Sequence, residues 1–189
     1  MGFLVLLAIL AVVAAYFIML YNGLVNLKHN VAKAWANIDV LLKQRHDELP
    51  KLVETCKQYM KFEQETLEKV MQARAQVAAA RESHNLGALG AAEGALRGLV
   101  GNLFAVAEAY PELKANENFQ HLQGRISGLE NAIADRREFY NDSVNLNNVR
   151  IEQFPDVIVA RMFNFRPADL LEFDATETAD VNVRQLFGS

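Results

Sequence analysis

Residues 3–21 read FLVLLAILAVVAAYFIMLY, and this run of apolar and aromatic side chains decides how the rest of the chain is organised. No charged side chain occurs before Lys28. As a helix the run is about 28 Å long, which matches the roughly 30 Å hydrocarbon core of a bilayer. The sequence therefore predicts a transmembrane anchor over residues 1–21, with apolar side chains that include Phe3, Leu4, Leu7, Leu10, Phe17 and Tyr21.

A cleaved signal peptide is the alternative, because Val13-Ala14-Ala15 has the small residues of a cleavage site. However, no basic side chain precedes the run, and the run continues past Ala15, which favours a retained anchor. Basic side chains follow it, and the positive-inside rule then predicts an N-terminus outside and a domain in the cytoplasm. These side chains are Lys28, His29, Lys33, Lys43 and Arg45.

The rest of the chain reads as helix, because apolar side chains recur three and four positions apart. Four helices are predicted over about 22–46, 50–83, 87–110 and 116–154, with Pro50 in the first turn of the second and Asn116 capping the fourth. The second has the alternating four-and-three spacing of a coiled coil. Short connections predict an all-α, up-and-down four-helix bundle that continues the anchor, followed by a membrane-proximal segment and tail over 156–189.

Several stretches together resemble the LemA family of bacterial membrane proteins. They are YNGLV at 21–25, AWANIDV at 34–40, KQRHDELPKLVET at 43–55, YPELKAN at 110–116 and the apolar ending at 181–187. The resemblance implies a four-helix bundle on an N-terminal helix of the bacterial cytoplasmic membrane, with the N-terminus outside. It implies no activity, because the family has no agreed biochemical function.

Residues that could carry chemistry are sparse. No histidine has a carboxylate three positions before it, so the Glu-x-x-His pairs of a di-iron bundle are missing, as is the HExxH zinc motif. Glu63 and Arg136 interrupt apolar stripes, so each charge is either partly exposed, with a snorkelling side chain, or held in a structural pair with Asp39 or Arg45. We therefore expect no enzyme activity, no catalytic residue, no cofactor and no metal. The net charge of −4, with no basic patch, predicts no nucleic-acid partner.

Glycine placement distinguishes the third and fourth predicted helices. Each glycine inside a helix costs about 1 kcal/mol relative to alanine, and close approach of another helix is the usual compensation. The pattern predicts an interface between copies of the chain, and the alternative is a loosely packed third helix. The residues are Gly87, Gly90, Gly94, Gly98 and Gly101, which share about 80° of arc, and Gly124 and Gly128.

Residues 154–173, FPDVIVARMFNFRPADLLEF, mix aromatic and basic side chains, a composition suited to an interface, either with the bilayer surface or with the base of a neighbouring copy of the chain. The alternative is a hydrophobic lid on the lower end of the bundle. The residues concerned are Phe154, Arg161, Phe163, Phe165 and Arg166.

These observations favour a self-associating helical scaffold on the cytoplasmic face of the membrane, with the lipid bilayer and further copies of the chain as partners. Such a scaffold would organise or shape membrane. The alternative is an adaptor or regulator of another membrane protein, such as a membrane protease. An enzyme is the weakest hypothesis.

Overall fold

The computed structural model describes residues 1–172, and in that part of the chain every regular element is a helix. The predicted all-α fold class, with one long apolar N-terminal helix and bundle-like packing, is confirmed. Residue 173 and the apolar ending at 181–187 lie outside the described residues. The helices are α1 (Gly2–Tyr59), α2 (Gln64–Glu82), α3 (Leu86–Ala107), α4 (Pro111–Lys114), α5 (Glu117–Glu152) and α6 (Asp156–Met162).

The chain forms two compact units. Of the described residues, the first unit comprises Met1–Lys43 and Asn131–Leu170, and the second comprises Gln44–Glu130 with residues 171–172. The first unit therefore contains the apolar part of α1, the C-terminal part of α5 and all of α6. The second contains the last turns of α1, the helices α2 to α4, and the start of α5.

The helix α1 runs through Pro50, so the predicted break at Asp47–Pro50 is wrong. A proline inside a helix leaves the carbonyl four residues earlier without its N–H donor. That carbonyl belongs to His46, and Nε of Arg74 on α2 donates to it at 2.8 Å. The buried stripe also continues past the proline through Leu49, Leu52, Val53 and Cys56. The helix survives because another helix supplies the missing donor.

Arg74 makes a second contact with the same residue. Its Nη2 lies 2.6 Å from Nε2 of His46. Because a guanidinium can only donate, Nε2 accepts, and the ring is neutral with its proton on Nδ1. Burial, and then the charge of Arg74, lower the pKa of His46, which keeps the ring in that neutral form.

The actual end of the first long helix is a turn at residues 60–63. It contains no glycine, proline, asparagine or aspartate, so no residue type marks it in the sequence. Side chains from other elements hold it: the Tyr110 hydroxyl donates to Glu63 at 3.3 Å, and the Asn116 amide donates to the Tyr59 hydroxyl at 3.1 Å. Glu63 is thus a half-buried acceptor at the turn, and Arg136 is exposed.

The later helix ends are built from local capping groups. His84 has a left-handed backbone conformation (φ 54°) after α2, and the Asn85 side chain then accepts the Ala88 N–H at 2.9 Å at the start of α3. Asn116 accepts the Phe119 N–H at 3.0 Å, so the predicted N-cap of the last long helix is confirmed.

A buried ion cluster joins three helices of the second unit. Arg45 on α1 is 1% exposed, and its Nη2 lies 2.5 Å from both carboxylate oxygens of Glu93 on α3, which is 2% exposed. Its Nη1 donates to Glu130 on α5 at 2.8 Å. Burial raises the pKa of Glu93 against the opposing charge of Arg45. Burial works to lower the pKa of Arg45, but the two carboxylates outweigh it and raise that pKa.

A pair between Glu63 and Arg45 is therefore wrong, whereas the alternative of partial exposure holds for Glu63 and Arg136. The charge that interrupts the core is Arg45 itself, and its partners lie on α3 and α5 rather than at Glu63. Glu93 was not singled out from the sequence, although this residue interrupts the apolar stripe of α3 between Leu89 and Leu96.

We predict that Arg45→Met lowers the free energy of unfolding by about 3–5 kcal/mol at pH 7, because it leaves a buried carboxylate without its counter-charge. Urea titration of the detergent-solubilised protein, followed by circular dichroism, measures this. The loss should shrink towards pH 5, since Glu93 with a raised pKa holds a proton in the folded state below its folded pKa.

Two variants control the experiment. Adding Glu93→Met to Arg45→Met should recover most of the loss, because an apolar pair can replace a buried ion pair. Lys57→Met, which removes an exposed partner of Glu54, should change stability by less than about 1 kcal/mol. Arg45→Met with the stability of the unmodified protein would show that the cluster does not hold the unit together.

Candidate membrane-interface site

The apolar part of α1 is exposed from Phe3 to Tyr16. It is the one helix of the described residues that is long and apolar enough to cross a membrane, and only 6% of its most apolar window is buried. The core helix of a soluble protein would be mostly buried, so this helix is not one. All the predicted anchor residues are exposed up to Phe17 and Tyr21, which are half-buried.

Burial begins where the apolar span ends. Leu20 and Leu24 of α1 form an apolar cluster with Ile151 of α5 and with Val159 and Ala160 of α6. The half-buried Phe17, Tyr21 and Phe165 pack against it. The chain therefore returns, after α5, to the point on α1 at which the span is complete.

The helix α6 is fixed at both ends. At its start, Arg150 donates through Nε to the buried carboxylate of Asp156 at 2.8 Å, and that carboxylate also suits the positive end of the helix dipole. At its end, Asn164 is left-handed (φ 55°), and the Phe165 N–H donates to the Ala160 carbonyl at 2.9 Å. This is a Schellman motif, in which asparagine replaces the usual glycine.

The stretch that follows α6 is pinned to α5 by polar side chains. The Asn148 amide donates to the Ala168 carbonyl and accepts the Ala168 N–H, both at 2.9 Å. The Tyr140 hydroxyl donates to the Asp169 carbonyl at 2.9 Å, and the same ring packs edge-on against Trp35. Residues 163–169 consequently have a fixed course beside α1 and α5.

One face of α6 points outwards and is apolar. Ile158 and Met162 lie four residues apart on α6 and are 51% and 65% exposed, and Phe154, two residues before the helix begins, is 80% exposed. Beside them, Phe163 is exposed but touches the span: its ring centroid lies 4.8 Å from that of Tyr21 and 6.1 Å from that of Phe17. We call these four outward residues the base stripe.

The predicted membrane-proximal residues divide between two environments. Phe165 is half-buried against α1, whereas Phe154, Arg161, Phe163 and Arg166 are exposed. The inner side of the segment is thus a lid on the first unit, as one alternative held. Contact of its outer side with lipid stays a prediction.

The predicted glycine interface is also divided. Five of the seven glycines are exposed: Gly87, Gly98, Gly101, Gly124 and Gly128. Gly90 is buried and Gly94 is half-buried, so these two are not available to form the predicted interface. The reason is their rotation on α3: Gly90 lies only about 60° from the inward-facing Glu93. The leucine side of α3 faces the core, through Leu89, Leu96 and Leu103.

Four of the exposed glycines have empty space around them. A Cβ atom added at Gly98, Gly101, Gly124 or Gly128 would meet no atom of residues 1–172 within 4 Å, apart from the chain neighbours and the helix's own nearby backbone. Nothing in that part of the chain therefore requires glycine there. We call these four residues the glycine surface; they all belong to the second unit.

Among residues 1–172, no group of three or more histidine, cysteine or acidic side chains is placed to hold a metal ion. Cys56 is buried, and burial raises the pKa of its thiol to about 12, so the thiol is not a nucleophile at neutral pH.

The sequence pattern of the LemA family matches residues 34–184. The chain belongs to the LemA family. Two LemA-related proteins, magnetosome proteins MamQ 1 and MamQ 2 of Paramagnetospirillum magneticum, are each 23% identical over 97% of this chain and 77% of their own length. Magnetosome protein MamQ of Magnetospirillum gryphiswaldense is 26% identical over 53% of this chain and 37% of its own.

These findings make this LemA-family chain a membrane-associated helical protein. The family match begins at residue 34, after the apolar span and before Trp35, and includes the whole of the second unit up to residue 130. The base stripe also lies inside it.

We predict that the base stripe lies in lipid. Full-length protein with Met162→Cys, labelled with an environment-sensitive dye and placed in phospholipid vesicles, should emit at shorter wavelength and be quenched by lipid-borne quenchers, because apolar surroundings shield the dye. Cys56 stays unlabelled because its thiol is buried and protonated.

The matched control is Phe62→Cys, at a side chain that is 94% exposed in the turn between α1 and α2. Its dye should be quenched by aqueous iodide. Equal iodide quenching at positions 162 and 62 would mean that the base stripe faces water.

Proposed function

We propose that this protein is a membrane-anchored helical scaffold that self-associates and organises the membrane on its cytoplasmic face. The observation that supports this most directly is the return of α6 to α1 at the end of the apolar span, with the base stripe turned outwards. A domain that contacts the bilayer through a span and through a second surface is held at a defined orientation to it. A scaffold needs such an orientation.

Self-association is supported by the glycine surface. Four glycines at exposed helix positions cost the protein about 2–4 kcal/mol relative to alanine, and no contact among the described residues uses their small size. A second helix can approach such a surface closely, and an anchor that confines copies to one membrane raises their local concentration. The similarity to magnetosome proteins supports a role at a membrane.

We predict that Gly98→Leu with Gly101→Leu separates assembly from stability. Open space at both positions accommodates the side chains, and leucine forms helix better than glycine by up to about 1 kcal/mol. The melting temperature should therefore rise or stay constant, whereas the mass of the detergent-solubilised protein, measured by light scattering, should fall towards the monomer.

Ala79→Leu, at an exposed position on α2, is the matched control and should leave both quantities unchanged. If the double variant keeps the mass of the unmodified oligomer, the glycine surface is not the interface. If the unmodified protein is itself monomeric, an adaptor or regulator of another membrane protein becomes the better hypothesis.

We also predict the orientation. In intact cells an external protease should remove a tag at the N-terminus and leave a tag at the C-terminus, because the basic side chains follow the span and stay in the cytoplasm. Cleavage of the C-terminal tag before lysis would contradict a cytoplasmic scaffold. A mature chain that begins after Ala15 would contradict the anchor.

A further inference from the structure

A cavity of about 700 Å³ opens in the first unit beside the base stripe. One wall is α1, the other is the stretch that follows α6, and Asn147 of α5 lies between them. The volume falls within the range of small-ligand pockets, roughly 300–1,000 Å³.

The charged side chains among the described residues that line this cavity are all basic. Lys28 and His29 come from α1 and Arg166 from the stretch after α6, and none of the described residues that line the cavity is acidic. Within the part of the chain that the structure describes, Arg166 donates only to the Asn164 side chain, and Lys28 has no carboxylate within 4.0 Å. Cationic groups from two separate segments therefore converge without an anionic partner.

Specific backbone and side-chain contacts shape the walls of the cavity. The left-handed Asn164 turns the chain so that Phe165 and Arg166 both line the cavity. Asn147, 4% exposed, contributes a buried amide to the cavity wall, and its Nδ2 donates to the Asn148 side chain that holds Ala168. A lid needed only to cover apolar surface would not require a buried amide and a basic rim.

The position of the cavity along α1 indicates where an anionic ligand of the basic side chains would come from. Tyr21, the last residue of the apolar run, lines its lower end and contacts the rings of Phe163 and Phe165. Lys28 lies seven residues further along α1, about 10 Å above. The polar headgroup layer extends roughly 5–8 Å beyond the hydrocarbon core on each side, so the cavity spans the level of lipid phosphates.

We propose that this cavity binds the phosphate of an anionic phospholipid headgroup, with Lys28 and Arg166 as its cationic ligands and His29 and Asn147 as hydrogen-bonding partners. Basic pockets beside membrane helices on the cytoplasmic side bind such headgroups in general. The proposal rests on the membrane-anchored orientation proposed above, because it requires the cavity to lie in the headgroup layer.

The test uses the full-length protein in neutral detergent, with its melting temperature recorded while lipid is added. Phosphatidylglycerol should raise that temperature saturably, and phosphatidylcholine with the same acyl chains should raise it much less. Lys28→Gln with Arg166→Gln should weaken the apparent affinity for phosphatidylglycerol about tenfold or more, since each basic group near the headgroups contributes several-fold. Both side chains are exposed, so the lipid-free melting temperature should not change.

The matched control removes two exposed basic side chains of α1 that do not line the cavity, through Lys33→Gln with Lys43→Gln. It should keep the response of the unmodified protein. An equal loss in both double variants would indicate attraction to net charge and would overturn the site. An equal response to the two lipids in the unmodified protein would overturn it as well.

Inorganic phosphate and glycerol phosphate, added without lipid, distinguish the sources of the anion. If either reproduces the effect of phosphatidylglycerol, and Lys28→Gln with Arg166→Gln abolishes it, the ligand is a soluble phosphate and the lipid assignment is wrong. The assembly measurement on the glycine surface is independent. A protein that assembles normally but ignores phosphatidylglycerol would refute this site and leave the scaffold intact.

Discussion

The position of one cation constrains the packing of the second unit. Arg45 is almost completely removed from water, and a buried guanidinium is tolerated only when carboxylates take up its charge and its N–H groups. Glu93 and Glu130 supply them from two other helices. Among residues 1–172 the Nε atom of Arg45 has no hydrogen-bond partner, so the described contacts of the cluster involve only the two terminal nitrogens of the guanidinium. Any rotation of α3 would move Glu93 away from Arg45 and leave the guanidinium charge in apolar surroundings without this counter-charge.

This constraint matters most for α3. Its side chains are mainly leucine, alanine and glycine, so packing alone specifies its rotation weakly. The pair between Arg45 and Glu93 selects one rotation, with Leu89, Leu96 and Leu103 inwards. The same rotation turns Gly98 and Gly101 outwards. A buried ion pair can in this way determine which surface the protein presents, even where desolvation offsets most of its contribution to stability.

The structural features that depend on composition and on local capping were predicted correctly from the sequence. The long apolar N-terminal helix followed from nineteen apolar residues, the fold class from the helical period, and the Asn116 cap from its side chain. It failed at Pro50, because the donor that compensates the proline, Arg74, lies 24 residues away on another helix. It failed at residues 60–63 for the related reason that tertiary contacts, rather than a breaking residue, end the helix there.

The candidate site was predictable in composition but not in geometry. The mixture of aromatic and basic side chains after Phe154 was visible in the sequence, whereas the seven-residue α6 was too short to show a helical period. The left-handed Asn164, which directs Phe165 and Arg166, has no signal stronger than the general tolerance of asparagine for that conformation. The convergence of Lys28 with Arg166 depends on it.

The span and the base stripe depend on each other physically. Phe154, Ile158, Met162 and Phe163 would form an unfavourable apolar patch on a protein surrounded by water. The inner side of the same segment, however, is held on Leu20 and Leu24, directly at the end of the apolar run. In the proposed orientation this is where the surroundings would change from hydrocarbon to headgroups. Because one helix provides both the candidate span and the surface on which the segment packs, insertion of that span would bring the apolar stripe to a depth at which its exposure is no longer costly.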